Sequence, residues 1–234
     1  MGQKITLSST AQTAVMQYDS ALTKWIVLSY APPVVVTRQY LTSGTGATYT
    51  TPNGCTAILV KARGGGGGGS AQATNAGSTG TATIFNSVTA NPGAGGSVPS
   101  ASKGNTGGLG GSAGSGTATF RMRGANGQAS NNSATGTPGG NGGTSWPGGN
   151  GYGVVDAAGT AAAANSGAGG GGAASGSNGS GTGGGEGEYF ELYIPNPAES
   201  YTYTVGSGGA GGTAGGLAGG AGGSGIIIVE EYYS

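Results

Sequence analysis

The sequence lacks histidine altogether, and Cys55 is its only cysteine. Without histidine, the Ser-His-Asp and Cys-His arrangements of nucleophilic catalysis are excluded. The common zinc ligand sets need several cysteines or histidines, so they are excluded too. A disulfide within the chain cannot form. We therefore expect a non-enzymatic protein without a metal or cofactor.

Charge is also scarce. Only 7% of the residues are charged, and eight basic residues balance eight acidic ones to a formal net charge of zero. Nucleic-acid binding needs a basic face that neutralises phosphates, so this composition argues against it. No apolar run approaches the ~20 residues of a membrane-spanning helix. We expect neither a nucleic-acid partner nor membrane insertion.

What the chain has in abundance is glycine, with 58 residues in all, most of them between positions 64 and 225. Glycine-rich tracts are normally flexible linkers. This one is bounded by two strongly apolar, strand-like runs, 57–60 and 226–229. Because a linker needs no hydrophobic strand at each end, we interpret the tract as a scaffold.

The order of residues within the tract favours a specific scaffold. Residues 208–225 read as Gly-Gly-x triplets with one-residue slips at Ala214 and Ala218. A period of three is that of the polyproline-II conformation, and two glycines per turn allow neighbouring backbones to approach closely. The pattern predicts packed polyglycine-II helices. Irregular glycine loops are the alternative.

The N-terminal residues predict a small β structure of their own. Residues 5–8, 14–18 and 24–28 alternate or cluster as short strands, with Trp25 as the anchor of a small core. A sheet of this size is marginally stable alone, so we expect it to gain burial from another copy of the chain. Two prolines at 32 and 33 then end the strands. We assign 1–31 to a β stem, 32–46 to a connector and 47–234 to a glycine-rich tip domain.

The tip domain is predicted to be built from strands around the glycine. Residues 56–63 form a strand with two apolar faces, typical of a central position, with Lys61 and Arg63 emerging from the core at its end. The aromatic runs 189–194 and 201–205 are predicted to form a hairpin, and 226–233 the last strand. The expected fold class is all-β: a small N-terminal stem, then a β-sandwich-like framework with glycine-rich loops or packed polyglycine-II helices.

Several short motifs of the chain resemble those of one known family. Residues 15–19 (Val-Met-Gln-Tyr-Asp) and 24–29 (Lys-Trp-Ile-Val-Leu-Ser) resemble a short unit common in bacteriophage tail fibres. Residues 51–60 (Thr-Pro-Asn-Gly-Cys-Thr-Ala-Ile-Leu-Val) run into polyglycine, and 197–210 and 225–230 follow in the same order as in the family's glycine-rich C-terminal domain. This resemblance frames residues 47–234. It implies a virion protein at the distal end of a tail fibre. It also implies a homotrimer, joined to the rest of the fibre, that contacts a polysaccharide or outer-membrane protein on the host.

Candidate contact residues stand out because residues 124–185 are nearly free of large side chains. Trp146 and Tyr152, with Asn150 between them, are exceptions on a glycine-rich loop that we expect to lie far from the strands, and such aromatics are favoured interface anchors. The alternative is that Trp146 plugs a small core. Arg121 and Arg123 fall on one face of a predicted strand, where they could bind an anionic sugar or form an ordinary solvated edge.

Two other functions remain open from the sequence. An ice-binding or structural polyglycine-II protein would use regularly spaced threonines, but the third positions of the triplets are mixed. A glycan depolymerase would need paired carboxylates, for which Asp156, Glu186 and Glu188 are the candidates. The strand that runs into Gly64–Gly69 superficially matches a dinucleotide-binding turn, but no helical period follows it.

Overall fold

A computed structural model describes residues 13–31, 35–71, 75–98, 106–130, 137–146, 148–175, 179–213 and 216–233. The strands in these ranges are β1 (Thr13–Asp19), β2 (Lys24–Ala31), β3 (Val35–Leu41), β4 (Ala47–Thr50), β5 (Cys55–Arg63), β6 (Thr83–Phe85), β7 (Val88–Ala90), β8 (Phe120–Met122), β9 (Ala174–Ser175), β10 (Gly179–Ser180), β11 (Tyr189–Pro195), β12 (Ser200–Thr204) and β13 (Ile226–Tyr233). Every strand pair is antiparallel, and no α-helix occurs in the described ranges. The all-β prediction is confirmed.

The N-terminal hairpin consists of β1 and β2. The carboxylate of Asp19 shapes the turn between them by accepting the N–H groups of Ala21 at 2.9 Å and Leu22 at 3.1 Å. Trp25, expected to anchor a core, has 62% of its surface exposed and meets only the edge of the Tyr18 ring, with 5.4 Å between centroids. A two-stranded hairpin has no second layer with which to bury such a side chain. The predicted strand at 5–8 lies outside the described residues.

Two sheets form a β-sandwich, as the sequence predicted. The larger has the strand order β3-β13-β5-β11-β8 and the smaller β4-β12-β6-β7. Their facing side chains make one hydrophobic core, whose buried members are Tyr49, Ile58, Val60, Ala62, Phe85, Val88, Ala90, Phe190, Tyr201, Ile227 and Val229. β5 lies at the centre of the larger sheet, and its face with Ile58, Val60 and Ala62 belongs to this core, while Leu59 on the other face is half-buried.

Three expectations about these strands differ from the structure. Residues 189–194 and 201–205 do not form a hairpin, because β11 pairs with β5 and β8 while β12 pairs with β4 and β6 in the other sheet. The expected connector 32–46 contains β3, which adds to the larger sheet as an edge strand beside β13. Arg63 does not emerge from the core but is 3% exposed, because it is paired with a carboxylate inside the protein.

The glycine tract is an ordered lattice of hydrogen-bonded extended segments. In residues 64–71, every third N–H donates to the same neighbouring segment. Residues 64, 67 and 70 donate to 188, 185 and 182; residues 65, 68 and 71 donate to 81, 78 and 75; residues 66 and 69 donate to 223 and 220. This three-residue period is that of polyglycine II.

The carbonyl groups of the same segment follow the same period towards three other neighbours. The N–H groups of residues 93 and 96 donate to the carbonyls of 65 and 68. Those of residues 209 and 212 donate to the carbonyls of 66 and 69, and those of residues 170 and 173 donate to the carbonyls of 67 and 70. The segment is therefore surrounded on all sides by backbone. This arrangement confirms packed polyglycine-II helices over irregular loops, since a buried backbone must satisfy its polar groups.

We call the whole assembly the glycine lattice. Its segments, which alternate in direction along the chain, are 64–71, 75–81, 91–97, 106–112, 124–130, 137–143, 149–154, 159–163, 167–173, 180–188, 206–213 and 217–225. One end, level with Gly64, joins the sandwich, and we call it the sheet end. The opposite end, level with Ala71, is the far end. At ~3.1 Å per residue, the eight residues of 64–71 separate the two ends by roughly 25 Å.

Candidate functional site

A buried ion pair fixes the sheet end of the lattice. Arg63, the last residue of β5, pairs with Glu186, and both side chains are almost fully buried. The other oxygen of Glu186 accepts the N–H of Ala125 at 2.8 Å, and the guanidinium lies 5.1 Å from the centre of the Tyr189 ring. Burial lowers the pKa of Arg63 from its ordinary value. Because Glu186 accepts hydrogen bonds from both the end of β5 and the lattice segment 124–130, the pair ties the lattice to the larger sheet.

Arg121 has a similar interior role. Its Nη1 donates to Glu188 at 3.1 Å and to the Thr89 carbonyl at 2.8 Å, and its Nη2 donates to the carbonyls of Ser115 and Gly116. Its guanidinium is therefore engaged within the protein. Arg123 is exposed and donates to the Asn126 side chain at 3.1 Å. Of the two arginines that we considered for an anionic sugar, only Arg123 faces solvent.

The three candidate carboxylates of a depolymerase are not brought together. Glu186 and Glu188 are buried, and both accept hydrogen bonds from arginine and from backbone N–H groups. Asp156 adjoins Ala157, which bridges to Ala174 at the far end. Asp156 and Glu186 are therefore separated along the lattice by about five residues, or ~15 Å. Glycosidases place their carboxyl groups roughly 5–9.5 Å apart.

Trp146 is 89% exposed, so it does not plug a core. Its neighbour Ser145 donates its hydroxyl to the carbonyl of Ser166, and Gly167 next to it adjoins the Arg63 side chain. These contacts place Trp146 at the sheet end of the lattice, whereas we had expected it far from the strands. The reason is direction: the segment 137–143 runs towards the sheets, so the connection that follows it emerges there.

Tyr152 and Asn150 lie on the next segment, on the flank of the lattice. Tyr152 is 58% exposed, and its backbone is held by Thr160. The Asn150 amide donates to the carbonyls of Gly142 at 3.0 Å and Gly151 at 3.3 Å, which fixes the side chain against the lattice. Trp146 therefore lies at the sheet end, and Asn150 and Tyr152 lie on the segment that leads away from it. The structure places Arg121 and Arg123 elsewhere, at β8.

The far end of the lattice is a surface that the sequence did not reveal. The segments reach this end at residues 71, 75, 97, 106, 130, 137, 154, 159, 173, 180, 213 and 217. Among the described residues just beyond them, Val98 is 38% and Val155 45% exposed, and Asp156 adopts a left-handed φ of 49°. The signal that could have found this end is the alternation of Gly-Gly-x segments with short non-glycine interruptions, since each interruption reverses the chain.

One flank of the lattice bears two rows of small exposed side chains. The antiparallel segments 75–81 and 206–213 lie side by side, and their outward residues recur every third position, or about every 9 Å. These exposed residues are Asn75, Ser78, Thr81, Ser207, Ala210 and Thr213. The hydroxyls of Thr81 and Ser207 lie 3.2 Å apart, which shows how closely the two rows match.

Neither a metal site nor a membrane-spanning helix is found in the part of the chain that the structure describes. No group of three or more Cys, Asp or Glu residues there is arranged to hold a metal ion. No helix there is long and apolar enough to cross a bilayer.

Comparison of the chain with protein-family models, with curated proteins and with solved structures finds no match.

Proposed function

We propose that this protein is the glycine-rich receptor-binding tip of a bacteriophage tail fibre, which attaches the virion to the surface of its host without catalysis. The observation that carries the proposal is the alternating, hydrogen-bonded lattice, whose segments end in a surface at the far end, opposite the sandwich. The tail-fibre motifs at 15–19, 24–29 and 51–60 support the same function.

The architecture suits recognition of a surface receptor. Loops that are already fixed by a rigid scaffold lose little conformational entropy on binding. With only 7% charged residues, the surface offers hydroxyls, backbone groups and single aromatics rather than a strong field. Such groups match a polysaccharide or an outer-membrane protein, and they make attachment insensitive to salt.

Two regions are the candidates for contact. One is the far end, where Val155 and Asp156 lie. The other holds Trp146 and Tyr152, whose exposed rings can stack on sugars or fill a protein pocket. Arg121 pairs with Glu188 and stabilises the sheet end, so Arg123 is the exposed cation of the two arginines considered for an anionic sugar.

The N-terminal hairpin gives the protein its assembly surface in this proposal. Its register pairs Tyr18 with Trp25, so both lie on one face together with Met16. All three are substantially exposed, at 49%, 62% and 47%. We propose that this face packs against the same face in two further copies, giving a homotrimer that continues the fibre.

Binding of the labelled, purified protein to a panel of bacterial strains tests the function. Trp146→Ala, Tyr152→Ala and Val155→Arg each change an exposed side chain, so the fold should tolerate them. We expect loss of binding in at least one of them, while Tyr193→Ala, which removes a tyrosine that is 51% exposed on the larger sheet, binds as the unchanged protein does. If the protein neither binds any strain nor competes with a phage for attachment, the proposal is wrong.

The two exposed rows on this flank favour ice binding as a second candidate. Regular rows of small hydroxyl and methyl groups, as on segments 75–81 and 206–213, can order water in register with ice. A thermal-hysteresis measurement decides: activity that disappears in Ser78→Tyr would support ice binding, and absence of hysteresis in the unchanged protein would refute it.

A further inference from the structure

Five Asn-Gly pairs occur in the sequence: 53–54, 126–127, 141–142, 150–151 and 178–179. In such a pair the backbone nitrogen of the glycine can attack the side-chain carbonyl carbon of the asparagine. The nitrogen loses its proton, ammonia leaves, and a five-membered succinimide ring forms. Water then opens the ring to aspartate or isoaspartate. The reaction consumes only water, and it needs a glycine N–H that is free to move.

Three of these pairs are locked by the glycine lattice. The attacking N–H groups are hydrogen-bonded to neighbouring segments: Gly127 donates to Gly108 at 2.8 Å, Gly142 to Gly151 at 2.9 Å and Gly151 to Gly169 at 2.9 Å. Each nitrogen is therefore held in place by a hydrogen bond across the lattice.

The asparagine side chains of these three pairs are held as well. The Asn126 oxygen accepts the N–H of Gly110, and the Asn141 oxygen accepts the N–H of Gly153, both at 2.9 Å. Asn150 donates to the carbonyl of Gly142. Ring closure at any of the three requires local opening of the lattice. Asn178 lies outside the described residues.

Asn53 and Gly54 differ from these pairs in every respect. They form the exposed turn between β4 and β5, where Gly54 has a φ of 79°. Among the described residues, neither the Asn53 side chain nor the Gly54 N–H makes a hydrogen bond. The space above Gly54 is open, since a Cβ built there would come no closer than 4.0 Å to the ring of Tyr233.

We propose that, of the four Asn-Gly pairs whose asparagine the structure describes, Asn53 is the site of spontaneous deamidation, and that the lattice shields Asn126, Asn141 and Asn150. The product carries one additional negative charge on a chain whose formal net charge is zero. Aged protein therefore accumulates an acidic form that is modified in the sandwich and unchanged in the lattice. This inference does not depend on the proposed function.

The test is incubation of the full chain at mildly alkaline pH, followed by digestion and mass spectrometry of each asparagine-containing peptide. We expect conversion at Asn53 at least ~10-fold faster than at the three lattice sites, because local opening must precede reaction there. The same incubation in denaturant is the control, and in it the four sites should react at similar rates. In the folded protein, Asn53→Gln added to an Asn178→Gln background, which removes the pair outside the described residues, should abolish the early acidic form on isoelectric focusing.

Two results would overturn the proposal. One is conversion of the lattice sites as fast as Asn53 in the folded protein. The other is an acidic form that appears at the same rate in Asn53→Gln/Asn178→Gln as in Asn178→Gln alone.

Discussion

Replacement of Gly67 by alanine adds one methyl group to the most enclosed segment of the lattice. A Cβ at this position would lie 2.8 Å from Gly95 N and closer still to the carbonyl of Ala94, whereas real Cβ atoms essentially never come within 3.0 Å of such atoms. The obstructing atoms are backbone, so no side chain can rotate away. The segments 64–71 and 91–97 must therefore separate.

The energetic cost follows from the hydrogen bonds between those segments. Gly93 donates to the Gly65 carbonyl at 2.9 Å, and Gly96 donates to the Gly68 carbonyl at 2.8 Å. Loss of a buried hydrogen bond with its groups left unpaired costs ~1–3 kcal/mol, so loss of both destabilises the fold by about 2–6 kcal/mol. At roughly 2–4 °C per kcal/mol for a chain of this size, the Tm should fall by about 4–24 °C.

Thermal and urea denaturation measure this effect, with Gly149→Ala as the matched control. Gly149 lies in the same lattice, but a Cβ there meets nothing within 4 Å. Because alanine reduces the entropy of the unfolded chain, this control should be neutral or more stable by about 0.4–1 kcal/mol.

Equal Tm values for the two variants would refute the packed lattice. Irregular, loosely packed loops would accept a methyl group at either position. An unfolded Gly67→Ala alongside a folded Gly149→Ala agrees with the reasoning, because both variants carry the same chemical change.

Three further predictions concern the ion pairs and the hairpin. Arg63→Met leaves Glu186 buried without its cation, so the free energy of unfolding measured by urea denaturation should fall by ~3–5 kcal/mol. Adding Glu186→Gln should recover part of the loss, and equal stability of the single and double variants would contradict this. Burial alone would raise the pKa of Glu230, but hydrogen bonds from Lys61 and Arg38 lower it below its ordinary 4.5. The carboxylate of Glu230 therefore stabilises the fold above that pH, and its contribution disappears as the pH falls through the lowered pKa. Glu230→Gln should therefore have a lower Tm than the unchanged protein at pH 7, and the gap should close under acid conditions; a gap that is constant with pH would contradict this. Trp25→Ala should reduce the oligomer mass in solution while the Tm of the sandwich stays unchanged; an unaltered oligomer would show that the hairpin face does not assemble the fibre.

Much of the fold could be predicted from local patterns. The apolar residues on both faces of β5 indicated a central strand, and the Gly-Gly-x period indicated polyglycine II. Both signals are local, since they depend on alternation and on the absence of side chains. The pairing of β11 and β12 could not be predicted in this way. A short aromatic–turn–aromatic run fits a hairpin as well as it fits a crossing between two sheets, and the partners that decide between them are distant in the chain.

The candidate site shows the same division. Trp146 and Tyr152 stood out because they are large residues in a glycine-rich sequence, and the structure leaves both exposed. Which end of the lattice these two residues lie near could not be predicted from the sequence, because it depends on how many segments precede them and in which direction each segment runs. Arg121 looked like a surface cation because its partner Glu188 is 67 residues away in sequence.

The sequence by itself determined which backbone conformation the glycine tract could adopt, since only glycine allows segments to approach so closely on every side. It also determined that two apolar strands would bound the tract. Only the tertiary structure decided which segments are neighbours. The Gly-Gly-x repeats are nearly identical, so the N–H groups of one segment could bond equally well to the carbonyl groups of any other segment. The sandwich removes that ambiguity. By fixing Gly64, Glu188, Gly206 and Gly225 where they leave or enter its strands, it sets the register of the central segments, and the outer segments follow from them.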